Sequence, residues 1–314
     1  MSTLSAGFSL VGGVPTRGQD LAASVVFTVT FGLLLLLAVY RWSSPTTRTW
    51  VLLRPTIVAV IRIVTYIIRC IEAKGDYDTG LFIGEQILVL SGLIPLVEPN
   101  VALLKFHARR NWALERSDVQ QRYRKQRSRL NRALSALQIG ILVAVILGIV
   151  AGTKSGDAID DLGVAAEVKR YRYAAIGLTL FVIGTSALLT CLLHLREKPP
   201  LAGTLYLLVC SGLLLIPNIY KLDTSLHPPS PLSAGTKVGF YLLSALPELV
   251  VILIYLSTNL NDLYDIPEGR WKHKVEKMMR KGEWPEGLGY VSRAEYEREH
   301  NRSGTLELGA VGKA

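Results

Sequence analysis

The chain has 314 residues, half of them apolar, with a mean hydropathy of +0.32. The apolar residues fall in blocks of about twenty, the length that crosses a bilayer core of roughly 30 Å, which excludes a pair of soluble domains and indicates one polytopic membrane domain. The net charge of +10 collects between the blocks, where it reads as a topology signal and not as a nucleic-acid surface.

Residues 1–19 read as a short polar tail with Gly12, Gly13 and Pro15, and no basic region precedes an apolar run. The first span is therefore expected to direct its own insertion. Span one is predicted from Asp20 to Tyr40 and span two from Trp50 to Ile71. An acidic link leads to span three, Gly80 to Leu104, where Pro95 and Pro99 predict a kink. The most basic segment, Lys105 to Arg132, precedes span four, Ala133 to Gly152. An acidic link over 153–172 precedes span five, Tyr173 to Leu195. The turn REKPP opens span six, Leu201 to Tyr220, and the Pro- and Ser-rich link 221–237 reads as an irregular loop. Span seven covers Val238 to Leu260, and 261–314 form a polar tail.

The predicted fold class is thus all-α: a polytopic membrane protein whose residues 20–260 form a seven-transmembrane-helix bundle. Lysine and arginine total 24 on the side holding links 41–49, 105–132, 196–200 and the C-terminal tail, against eight on the other side, with three inside span two. That excess predicts an outside or luminal N-terminus and a cytoplasmic C-terminus. It does not distinguish the plasma membrane from an endomembrane.

Span two carries Arg54, Arg62 and Arg69 in an otherwise apolar stretch. Charge in hydrocarbon is costly, so these should face the bundle interior and find partners. Arg62, Tyr66 and Arg69 are spaced i, i+4, i+7 and share one helix face. Depth along each span, at about 1.5 Å per residue, matches Arg62 with Glu248, Arg69 with Glu85 (Glu72 being within reach at i+3), and Arg54 with Glu98. The network either lines a polar pocket or ion path between spans two, three and seven, or locks the bundle. Ile216-Pro217-Asn218 and Leu246-Pro247-Glu248 each place a polar residue after a kinking proline. They read as hinges around a cavity or as ordinary kinks.

The segment RWKHKVEKMMRKGEW sets Trp271, Val275, Met278 and Met279 on one helical face, with Arg270, Lys272, Lys274, Lys277, Arg280 and Lys281 around them. A basic amphipathic helix over 270–281 suits an anionic membrane surface. The cluster from Arg122 to Arg132 suits anionic headgroups or a cytoplasmic protein partner. Gly80-x3-Gly84 and Gly148-x3-Gly152 allow close helix packing.

Several chemistries have no residues to carry them. The three cysteines, Cys70, Cys191 and Cys210, lie in or beside spans, and no CxxC occurs. Of five histidines only His194 falls at a span, too few for a zinc hydrolase site. No lysine occurs between Gly239 and Leu260 to hold retinal, and no GxxxxGK[ST] occurs to hold ATP phosphates. No cofactor, metal, nucleic acid or enzymatic activity is expected.

Span three, TGLFIGEQILVLSGLIPLVEPNVALLKFHARRN, with Arg62 ahead of it, ILGIVAGT closing span four and LLLIPNIYKL in span six, resembles a fungal seven-helix membrane family known only as a domain of unknown function. That resemblance covers about residues 20–260 and implies a fungal source and seven spans. More loosely, Tyr66-x-x-Arg69-x-x-Glu72 followed by Gly75 is similar to a motif of the fungal RTA-like proteins, which implies lipid translocation. The expected function is binding or translocation of a small amphiphile through a pocket between spans two, three, six and seven, involving Arg62, Tyr66, Arg69, Glu85, Glu98, Asn218 and Glu248. The alternatives are a seven-helix receptor and a structural membrane protein without a ligand.

Overall fold

A computed structural model of the protein describes residues 11–44, 47–75, 78–113, 117–159, 161–227, 230, 233–264 and 266. Side chains are described for all of these except residues 79, 110–113, 117–127 and 159. The chain divides into units 1–269 and 270–314, and every described residue belongs to the first. The expected surface helix with Arg270, Trp271, Lys272, Lys274, Lys277, Arg280 and Lys281 therefore lies outside the described residues.

The described residues are all helical or irregular: α1 Leu21–Ser43, α2 Leu53–Ala73, α3 Thr79–Ser91, α4 Glu98–Ala113, α5 Ser117–Thr153, α6 Leu162–Glu197, α7 Leu201–Leu226, α8 Ala234–Gly239, α9 Leu246–Ser257 and α10 Leu260–Tyr264. Seven segments are long and apolar enough to cross a membrane: Leu21–Ser43, Trp50–Ala73, Gly80–Arg109, Ser128–Thr153, Leu162–Glu197, Leu201–Leu226 and Ala234–Ser257. Sequential neighbours pack together, with α1 on α2, α5 on α6 and α6 on α7, while α9 closes against α7 and α1.

The helices are apolar outside, and inside they bury polar and charged groups alongside an apolar core. On α2 the exposed side is Ile57, Val60, Val64, Ile67 and Ile71. The buried side of the same helix carries Arg62, Thr65, Tyr66, Arg69 and Glu72. An apolar stripe of that length facing outward is stable only against lipid.

Four elements differ from the sequence reading. Span three is broken and not merely kinked. Pro95 has no N–H to give and its ring crowds the carbonyl of residue 91, and α3 ends at Ser91; a tight turn over Ile94–Leu96 comes before α4 begins at Glu98. The acidic link 153–172 is largely helix, because Asp161 caps α6 by accepting from the Gly163 N–H at 2.7 Å. Much of the basic stretch 105–132 is likewise helix, shared between α4 and α5. The loop 221–237 is also shorter than expected, since α7 runs on to Leu226. Charged residues at those helix ends mask the helices in a hydropathy reading.

Glycine contacts separate the two small-residue pairs. A Cβ on Gly152 would stand 2.8 Å from the Ile87 Cα, so α5 and α3 touch there through backbone. Gly80 and Gly84 make no comparable helix–helix approach. Gly152→Val is expected to destabilise the detergent-purified protein by about 1–3 kcal/mol of overpacking, read as a lower melting midpoint. Gly177→Ala, with open space at its Cβ, should be neutral or slightly stabilising. Equal effects from the two would contradict the packing.

Candidate functional site

Span two sets Arg62 and Arg69 on the inward face and Arg54 at its exposed end, and the other helices meet them at three levels. At the middle, Arg62 Nε donates to Glu248 of α9. Its Nη1 donates to the Leu88 carbonyl at 3.1 Å. The second Glu248 oxygen accepts from Ser244 Oγ at 3.3 Å and lies 3.8 Å from Lys221 Nζ. Lys221 in turn donates to the Val89 carbonyl at 2.8 Å. All three charged groups are buried. Leu88 and Val89 belong to the last turn of α3, where carbonyls run short of intrahelical donors; the Leu88 carbonyl also takes the Gly92 N–H that caps the helix, at 3.0 Å. The end of α3 and the buried cations thus meet through backbone carbonyls.

At the end of the bundle that holds Asp20, Arg69 is the hub. Its Nη1 meets Glu85 at 2.5 Å, its Nη2 meets Asp20 at 3.1 Å and the Gly12 carbonyl at 2.5 Å, and its Nε donates to Tyr241 Oη at 3.2 Å. Its guanidinium also lies 4.5 Å from the Phe240 ring centre. Lys237 supplies a second cation, 2.9 Å from Asp20. Glu72 sits beside Glu85 and does not bond Arg69 directly. Residues 11–20 are part of this site, not a free tail: Val11 and Asp20 are fully buried. Gly12 has φ +88°, and a Cβ there would meet Arg69 at 2.9 Å. Burial by itself would raise the Asp20 carboxyl. Arg69, Lys237 and the Thr16 N–H outweigh it and hold the group below the usual carboxylate range.

Between these levels Tyr66 stacks with Phe27 at 5.4 Å and Phe31 at 5.8 Å, and lies 6.4 Å from Tyr241. This aromatic layer separates the two charged groups. At the opposite end Arg54 and Glu98 pair where both are partly exposed. They stand apart from the core.

Asn218 does not join Arg62 and Glu248. Its Nδ2 donates to the Leu214 carbonyl at 2.8 Å, one turn back in the helix that Pro217 interrupts. With Lys221 it lines a cavity of about 10 Å³, room for one water molecule, bounded by α3, α5, α6 and α7. A cavity thus sits among spans three to six, and Arg62 and Glu248, which do not line it, are almost fully buried.

Four contributors escape the sequence reading: Asp20, Lys221, Lys237 and Tyr241. Asp20 is the first residue of the predicted span one, with no partner expected for it, and both lysines fall in the expected loop. Tyr241 and Ser244 face inward because Phe240–Ala245 forms a π-turn, with the Leu246 N–H bonded back to Tyr241. Pro247 lacks the N–H that would continue the ladder there.

Outward apolar faces around an ion-paired interior define the class: a seven-helix integral membrane protein, living in a lipid bilayer. The chain belongs to the family described as domain of unknown function DUF7702, which it matches over residues 20–262. None of the curated proteins matches it.

Proposed function

We propose that this protein binds or moves a small amphiphile and is not an enzyme, with the charged head of that ligand taken at Arg62, Glu248 and Lys221. The observation that supports this reading is the buried charge at mid-bundle beside two bending points. These are Pro217 in α7 and the π-turn before Pro247 leading into α9. Ionisable groups inside a membrane domain mark substrate and ion paths by default, and interrupted helices recur at carrier sites. In this reading the closely packed arrangement is the closed form. Bending of α7 and α9 parts spans six and seven from two and three. Arg62 then exchanges Glu248 for an anionic headgroup, while Glu248 turns to Lys221. The likeness of the Tyr66–Glu72 motif to RTA-like proteins points the same way.

The test is a flip assay in vesicles containing a fluorescent phospholipid in both leaflets. Wild type should expose the inner-leaflet label to an impermeant quencher, and Glu248→Gln should slow that exposure. Protection equal to protein-free vesicles would overturn the proposal. It would favour the second reading, a structural bundle, for which the close packing around Arg62 and Glu248 speaks.

We also propose that the Asp20 end faces outside and the C-terminus the cytoplasm. Of the eight basic residues assigned to the outer side, Arg172, Lys221 and Lys237 are buried in the bundle, leaving five, so the charge asymmetry is steeper than the sequence suggests. A Ser230→Cys variant should react with impermeant maleimide on intact cells, and Asn301→Cys only after permeabilisation. The reverse pattern would invert the topology.

A further inference from the structure

We propose that the cavity between α3, α5, α6 and α7 is a binding site for a small monovalent anion of halide size. Its wall brings together Arg172 from α6, Lys221 and Asn218 from α7 and Thr179 from α6, closed by the apolar Leu90 and Ile94. Both cations are almost fully buried, at 3% and 2% exposure. No carboxylate contributes to the wall among the described residues. Two buried cations and an amide around one void are a donor set an anion takes, since arginine, lysine and amide N–H all donate; the Thr179 hydroxyl is committed to the Ala175 carbonyl at 2.7 Å.

The charge balance next door favours an anion over water. Lys221 has one carboxylate within 4 Å among the described residues, Glu248 at 3.8 Å, and that carboxylate is already bonded through its other oxygen to Arg62. Arg62 and Lys221 thus share one buried acid. A buried charge without full compensation is costly, and an anion beside Lys221 would supply what Glu248 cannot. The size of the void sets the class. At about 10 Å³ it takes one water-sized particle. A halide is of that order; a phosphate, a sulfate or a lipid headgroup is too large. This inference shares Lys221 with the amphiphile reading but concerns its cavity side, and its test reads a halide response and not lipid movement.

The experiment measures the melting midpoint of the full-length, detergent-purified protein while chloride or bromide replaces gluconate or sulfate at constant ionic strength. The expected result is a saturable rise with chloride and bromide and none with the larger anions. Lys221→Met should raise the half-saturating halide concentration by roughly tenfold or more, having removed a charged donor. Asn218→Ala, which removes a neutral amide donor from the wall, is the gentler variant and should weaken the halide response while keeping the fold. In bromide-grown crystals of wild type, an anomalous peak should lie between Arg172 and Lys221, a readout that needs no variant. A melting midpoint indifferent to anion identity, or bromide crystals without that peak, would mean that the cavity holds water and would overturn the proposal.

Discussion

Arg69→Leu is expected to be the most damaging single substitution in the bundle, lowering stability by about 3–5 kcal/mol, the range for removing one partner of a buried ion pair. The guanidinium bonds Glu85, Asp20, the Gly12 carbonyl and Tyr241 at once, from a fully buried position. Asp20 would keep Lys237 at 2.9 Å, but Glu85 would lose its ion-pair partner. Arg69→Lys should rescue little, because a single ammonium cannot reach four acceptors that a planar fork meets together. Arg69→Leu combined with Glu85→Leu should recover part of the loss. The check is the melting midpoint of the three variants in one detergent. An Arg69→Lys variant as stable as wild type would contradict the hub. The same cluster sets an acid limit. Asp20 has a depressed folded-state value, so its contribution is full above the unfolded carboxylate value of about 3.9. That contribution is lost as pH falls through the lower folded value.

Glu248→Gln is expected to be the second largest loss, and larger than Arg62→Met. Glu248 faces two cations, Arg62 and Lys221, and its removal leaves both without an acid within 4 Å among the described residues. Removing Arg62 leaves Glu248 with Lys221 and the Ser244 hydroxyl. Loss of the acid should therefore fall at the upper part of the roughly 3–5 kcal/mol range and loss of Arg62 at or below its lower part. Equal losses, or a larger one for Arg62→Met, would show that Lys221 is not coupled to this centre.

How much of this can be read from the residues depends on helix register. Seven spans emerge from block length alone. The meetings of Arg62 with Glu248, Arg69 with Glu85 and Arg54 with Glu98 come from depth, because about 1.5 Å per residue turns sequence position into height within a straight span. The same arithmetic fails where the backbone leaves the α-helix. The break after Ser91 and the π-turn at Phe240–Ala245 change the register of the helix around them, and no spacing rule in the sequence places Tyr241 with Arg69. Lys221 and Lys237 escape for another reason. A charged residue lowers local hydropathy whether it faces water or a buried carboxylate, so hydropathy ends the spans short of them. A cavity among spans two, three, six and seven is expected only if both post-proline polar residues face one space. Asn218 faces α3 and α6, while Glu248 faces α2.

The central claim is that an ion pair between spans two and seven, supported by Lys221, holds the middle of the bundle. A double-mutant cycle on the full-length protein in detergent tests it, with Arg62→Met, Glu248→Gln and the two combined, read by melting midpoint and converted to free energy. The predicted result is a coupling of about 2–3 kcal/mol, so that the double variant loses clearly less than the two single losses together. Additive losses would mean that Arg62 and Glu248 do not meet, and that the middle of the bundle is not held by this charged core.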